Sequence, residues 1–145
     1  MVQLKSELLL GDGGERLVFI HPNDNNKVIK VLQPGIKKHN FQNELEFKYY
    51  NFLINKNRDF SHITKCFGYI DTNFGKGLIF ERVVDFDGQD SKFLRNCLND
   101  NIFSEAQEKK LLEDLKSYLF KNEILFIDCS SHNVFCKKIS ERYNK

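Results

Sequence analysis

The residues whose types and spacing could do chemistry gather in the stretch "EILFIDCSSHNVFCKK", residues 123–138, where Asp128 and Asn133 stand four residues apart in a small, polar segment. A carboxylate there can accept a proton and a side-chain amide oxygen can hold a hard cation. The same stretch holds Cys129, His132 and Cys136, which have the ligand types of a zinc knot. A closed structural zinc site needs four ligands, and no second Cys/His pair lies nearby. Asp128 is a poor fourth, because adjacent side chains of an extended segment point opposite ways. Two half-buried thiols beside a loop histidine are the plainer alternative.

Further candidates lie upstream. "GDGGERLV" places Gly11 and Gly13 where a tight turn can bring backbone N–H groups close to an anion, although a simple hairpin turn uses the same glycines. It is not a Walker loop, since no Gly-Lys-Ser/Thr follows. In "KVIKVL", alternation sets Val28, Lys30 and Leu32 on one face, so an amine stands among apolar side chains and needs a partner or a ligand. Glu46, beside the apolar stripe of the following helix, could pair with it; two solvated surface charges are the alternative. "DFDG" at 85–88 lacks the further acidic positions and the closing Glu of a calcium loop, and as a connector it could offer Asp85 or Asp87 to a ribose hydroxyl. His21 and His62 read as structural, and His39 as exposed.

The elements that must position these groups follow from the pattern of apolar runs. "SELLL", "RLVFIH" and "KVIKVL", broken by "GDGG" and "PNDNN", predict three antiparallel strands. Phe41, Leu45, Tyr49, Phe52 and Leu53 recur at helical spacing, which predicts a helix capped by Asn40 and ending near Asn55. "HITKCFGYIDT" and "GLIFERVV", joined by "NFGKG", predict a hairpin. A connector follows. Residues 105–121 then carry Leu111, Leu112, Leu115, Tyr118 and Leu119 on one stripe of an amphipathic helix, ahead of a terminal strand-loop-strand. The fold class is α+β, with two small lobes at 1–83 and 84–145.

Composition narrows the function classes. The 145 residues suffice for a core, and the net charge of +2 gives no case for nucleic acid or a membrane surface. No apolar run approaches the ~20 residues of a membrane span, and four scattered cysteines without a signal peptide fit a reducing compartment. A cytoplasmic protein is expected.

"LGDGGERLVFIHPNDNNKVIKVL", "ELEFKYYNFL", "GYIDTNFGKGLIFERVVDFDG" and "FIDCSSHNVFCKKIS" together cover much of the chain. In these segments it resembles the protein-kinase-like fold, and more closely the bacterial YrbL family, named for the PhoP regulatory network. The resemblance implies a five-stranded antiparallel N-lobe with one helix and a truncated, mainly helical C-lobe. It implies ATP with Mg2+ as ligands and phosphotransfer to a Ser/Thr or other hydroxyl acceptor. Gly11 and Gly13 would cover the phosphates, and Val18 and Val28 would roof the adenine. Lys30 would contact phosphate and pair with Glu46. The Glu81 carbonyl and Val83 amide would meet the adenine edge, with Phe80 behind them. Asp128 would accept the acceptor's proton, and Asn133 would hold magnesium.

The chain departs from the kinase pattern at several places. Arg16 replaces the third glycine of the loop and could itself touch phosphate. Phe126 and Ile127 stand where His and Arg are usual, and Ser130 where a Lys is usual. The sequence given stops at "ERYNK", before an Asp-Phe-Gly strand. The expectations are therefore an active kinase-like protein, a pseudokinase that binds without transferring, or one part of a split kinase that a protein partner completes.

Overall fold

Runs rich in Val, Ile and Phe form strands because branched and aromatic side chains pack well on a pleated surface. In the structure, a computed structural model that describes residues 1–36, 41–126 and 131–141, these runs build one sheet. The chain divides into two units, Met1–Arg82 and Val83–Lys145. The first contains β1 (Leu9–Asp12), β2 (Arg16–His21), β3 (Asp24–Leu32), helix α1 (Gln42–Asn55), β4 (Cys66–Thr72) and β5 (Gly75–Glu81). Their spatial order is β1-β2-β3-β5-β4, and every neighbouring pair is antiparallel. The protein is thus α+β, with the five-stranded antiparallel sheet that its sequence pattern predicts.

Register decides which side chains share a face. Val18 lies opposite Lys30 and Lys30 opposite Leu78, while Ile20 opposes Val28 and Val28 opposes Phe80. That face buries Val28, Leu78 and Phe80, with Phe47 and Tyr50 of α1 packed against them. The opposite face buries Phe19, Ile29 and Val31 beneath Leu4. The N-terminal segment reaches this face because the Val2 amide donates to the Asp71 carbonyl at 2.9 Å and the Leu4 amide to Asn73 Oδ1 at 2.7 Å. Covering both faces explains why the second half of β3, residues 28–32, is apolar apart from Lys30.

Three local expectations change. Ser6–Leu8 forms a 3-10 turn rather than strand, and β1 begins at Leu9. The expected five-residue loop "NFGKG" is a two-residue turn, Asn73–Phe74, since Thr72 already pairs with Gly75. Gly75 supplies the φ of 95° that this turn demands. Helix α1 ends at Asn55 as expected, but Phe41 occupies its cap position with φ 55° and no side-chain cap; Asn40 lies outside the described residues.

The second unit contains β6 (Lys92–Phe93), α2 (Leu94–Asn99), α3 (Glu105–Lys121) and β7 (Phe135–Cys136). Helix α3 starts where Ser104 and Gln107 bond reciprocally: the Gln107 amide donates to Ser104 Oγ at 3.2 Å, and the Ser104 amide to Gln107 Oε1 at 2.8 Å. Its stripe is only partly covered, with Tyr118 buried and Leu112 exposed. The connector contains α2, which buries Leu94 and Cys97. Strands β6 and β7 pair antiparallel, and the Phe93 and Phe135 rings stack at 4.6 Å. Among the described residues, no helix is long and apolar enough to cross a membrane.

Gly77 shows how tightly the first sheet is packed. A Cβ added there would collide with Ile29 Cγ2 and stand 3.0 Å from Val31 Cγ1, both on the buried face of the central strand. Gly77→Ala is therefore expected to destabilise the protein by about 1–3 kcal/mol. Urea unfolding checks this; an unchanged midpoint would show that β3 and β5 can separate freely.

Candidate functional site

The strand faces bring Arg16, Val18, Val28 and Lys30 to the side of the sheet that α1 covers. Arg16 and Val18 alternate along β2, and Lys30 and Val28 are two apart on β3. Glu46 projects from α1 toward this face. Its carboxylate is gripped by Arg16 rather than Lys30: Arg16 Nη1 donates to Glu46 Oε2 at 2.7 Å and Nη2 to Oε1 at 3.0 Å. This is the two-pronged geometry in which a planar guanidinium binds a carboxylate most strongly.

Asn43 completes the arrangement. Its Oδ1 accepts from Arg16 Nη1 at 3.0 Å, and its Nδ2 donates to the Lys30 carbonyl at 2.9 Å. One buried amide thus joins α1 to both β2 and β3. Sequence reasoning missed Asn43 and missed Arg16 as the partner of Glu46. The available signal was that Arg16, two residues before Val18, must share its face with Lys30 across the strand pair. Two cations there could not both remain without a carboxylate.

Lys30 Nζ lies over the Phe80 ring, 4.3 Å from its centroid. Among the described residues it has no hydrogen bond or ion pair, and its charge is countered by the aromatic face and by Glu46 through space. Burial pushes the amine below its ordinary value of 10.5, and Arg16 pushes the same way against the opposing pull of Glu46. For Glu46 the largest influence is burial, which raises its pKa; the Arg16 hydrogen bonds and the charges of Lys30 and Arg16 outweigh it, and the net shift is downward. Cys66, on β4, has its thiol raised by burial.

The glycine loop has a different internal use. Gly11 lies within β1 opposite Val18, and the Gly13 amide donates to the Arg16 carbonyl at 2.9 Å, closing the β1–β2 turn. Glu81 ends β5, where its amide donates to the Lys65 carbonyl at 2.9 Å and its Oε2 accepts from the Lys65 amide at 3.1 Å. Val83 belongs to the second unit, where its carbonyl accepts from the Ser91 amide at 3.2 Å. Asn133 is exposed in the bend before β7, and Asp128 lies outside the described residues.

In the second unit Asp85 is structural. Its Oδ1 accepts from Ser91 Oγ at 2.6 Å and from the Lys138 amide at 2.8 Å, so its side chain is already engaged within the unit. His132 bonds Arg95, and the Cys136 thiol bonds Cys97. Burial and the neighbouring Cys97 push the Cys136 thiol up to about 12, so the free side chain is a neutral thiol. Among the described residues no three His, Cys, Asp or Glu side chains converge on a metal position; Cys129 is outside them.

Fold and site define an α+β protein whose sheet gathers two cations and a carboxylate on one helix-covered face. Residues 2–145 match the family model of the PhoP regulatory network protein YrbL, and the chain belongs to the YrbL family. It is similar to the YrbL proteins of Escherichia coli (strain K12) and Shigella flexneri. Identity is 32% over 143 residues in each case, covering 97% of this chain and 68% of theirs.

The depressed Lys30 pKa has a stability consequence. The unfolded chain binds more protons than the folded one between the folded Lys30 pKa and 10.5, so stability rises with pH across that window. Below it, a charged amine is held in a poorly solvated position at a cost. Lys30→Met should therefore stabilise the protein at pH 7 by on the order of 1 kcal/mol. The gain should shrink as pH rises toward 10.5. Thermal unfolding across that range checks both the sign and the trend.

Proposed function

We propose that this YrbL-family protein binds ATP with magnesium and is a kinase-like phosphotransferase acting on a hydroxyl acceptor. The observation that carries the reading is Lys30: a half-buried cation without a direct carboxylate partner among the described residues, on a face shared with Val18 and Val28. An anionic group fits beside such an amine because it would offer a direct ionic contact in addition to the field of Glu46, and a flat apolar base fits against valine side chains. Arg16 adds a second donor set suited to phosphate oxygens.

In this reading Gly11, Gly13 and Arg16 lie along the phosphates, Val18 and Val28 contact the base, and Glu81 and Val83 supply backbone groups to its edge. Glu46 orients the cations. Asp128 holds the proton of the acceptor hydroxyl, and Asn133 offers an amide oxygen to magnesium, an oxygen-seeking ion. ATP supplies the phosphoryl group, which passes to the acceptor oxygen as ADP leaves. The chain's own contribution is positioning and charge neutralisation.

A second reading has its own support. Because Glu46 is held by Arg16 and not by Lys30, a non-catalytic pseudokinase acting as a regulatory or interaction module also fits. A split kinase completed by a protein partner is the third form of the same proposal.

ATP with magnesium should raise the thermal midpoint of the wild type, and Lys30→Ala should remove the shift. Asp128→Ala should keep the shift yet lose about two or more orders of magnitude of phosphoryl transfer, followed as radiolabel from γ-labelled ATP. A shift without any transfer selects the pseudokinase. No shift at millimolar nucleotide sinks the nucleotide reading.

A further inference from the structure

Arg16 and Lys30 face the same carboxylate from adjacent strands, and only one of them holds it. Arg16 has both prongs on Glu46 and a third bond to Asn43; Lys30 rests on the Phe80 ring. Lys30 stands on the face shared with Val18, Leu78 and Phe80, largely withdrawn from water, and among the described residues it has no direct ion pair. Arg16 lines a cavity of about 40 Å³ together with Glu15, Leu32, Gln42, Asn43 and Glu44, room for about one water, and the carboxylates of that lining leave a phosphate to approach the guanidinium from elsewhere.

We propose that Arg16 is the resting partner of Glu46 and that the carboxylate changes hands: a phosphate-bearing ligand draws the guanidinium to itself, and Glu46 then passes to Lys30. Arg16 is thus a positioning residue that keeps Glu46 from pairing with Lys30 until the ligand arrives. The trigger rests on the nucleotide reading above, whereas the competition between the two cations does not. No covalent bond changes. The guanidinium exchanges one anionic partner for another, and Lys30 gains Glu46 as a direct partner in place of an interaction through space. The groups facing Lys30 are Arg16 from β2, Glu46 from α1, Cys66 from β4 and the Phe80 ring from β5.

The test is the pH dependence of Lys30 acylation by acetic anhydride in the full chain, quantified by mass spectrometry, since only the neutral amine reacts. Arg16→Gln should move the labelling midpoint up by about one pH unit or more, because Glu46 becomes available to Lys30. The same substitution made in a Glu46→Gln background should move it far less. That dependence separates a handover from simple loss of a neighbouring positive charge. Arg16→Lys, which keeps the charge but not the two-pronged grip, should fall between wild type and Arg16→Gln. Thermal unfolding of each variant confirms that a folded protein is being labelled.

Inorganic tripolyphosphate should raise the wild-type midpoint, and the rise should shrink in Glu46→Gln. An Arg16→Gln shift that is absent, or equally large with and without Glu46, overturns the handover. If the variants behave as described but neither tripolyphosphate nor an imido analogue of ATP with magnesium moves the wild-type midpoint, the phosphate trigger falls together with the nucleotide reading.

Discussion

The grip of Arg16 on Glu46 is the interaction on which the first unit is arranged. A guanidinium cannot shed its charge, so an arginine placed on a helix-covered sheet face must find a carboxylate there or remain in water. Glu46 meets that demand, and Asn43 adds a neutral bond to the same nitrogen. These contacts fix the rotation of α1 about its own axis. With Asn43 and Glu46 turned inward, Phe47 packs against Tyr69 with ring centroids at 4.7 Å and Tyr50 against Phe80 at 5.5 Å. Phe41, Leu45 and Phe52 are left outward, each about half exposed or more.

The same geometry explains an electrostatic imbalance. Two cations converge on one carboxylate in a setting where neither is freely hydrated, so satisfying Arg16 leaves Lys30 to an aromatic face, a weaker counterpart. A cluster optimised for stability alone would replace Lys30 with an apolar residue that fits the Val18–Leu78 neighbourhood. Local disagreement between a residue and its surroundings is the usual mark of a functional position. For that reason Lys30, rather than the better-bonded Arg16, carries the functional reading.

Much of the sheet was legible in the sequence because its strands are written in β-branched and aromatic residues punctuated by Gly, Pro and Asn. The existence of α1 and its end at Asn55 were legible too. Its buried face was not. Of the stripe Phe41, Leu45, Tyr49, Phe52 and Leu53, Leu53 is fully buried, whereas Phe47 and Tyr50 from outside it pack on the sheet; the turn of α1 that selects them is held by Arg16, remote in sequence. Periodicity within the helix holds no record of that. Helix α2 escaped notice because six residues give too short a window, with Leu94 and Cys97 its only buried positions. The pairing of Lys30 with Glu46 was inferred from the order of residues along the chain, whereas the observed partner is decided by reach and shape: a long, forked side chain arrives first. Family membership was legible from the motifs themselves, which are spread along the chain.

Each unit is tied shut by contacts between its early and late residues. Leu4 bonds Asn73, 69 positions away, and Asp85 bonds Lys138, 53 positions away. During synthesis from the N-terminus, the face bearing Phe19, Ile29 and Val31 therefore emerges from the ribosome long before the residues that anchor its Leu4 cover. The second unit faces the same delay, since Ser91 reaches Asp85 early but the Lys138 segment does not. Slow translation would lengthen both intervals of apolar exposure, so the yield of folded protein in cells depends on elongation speed and on chaperone supply through these two gaps as well as on final stability.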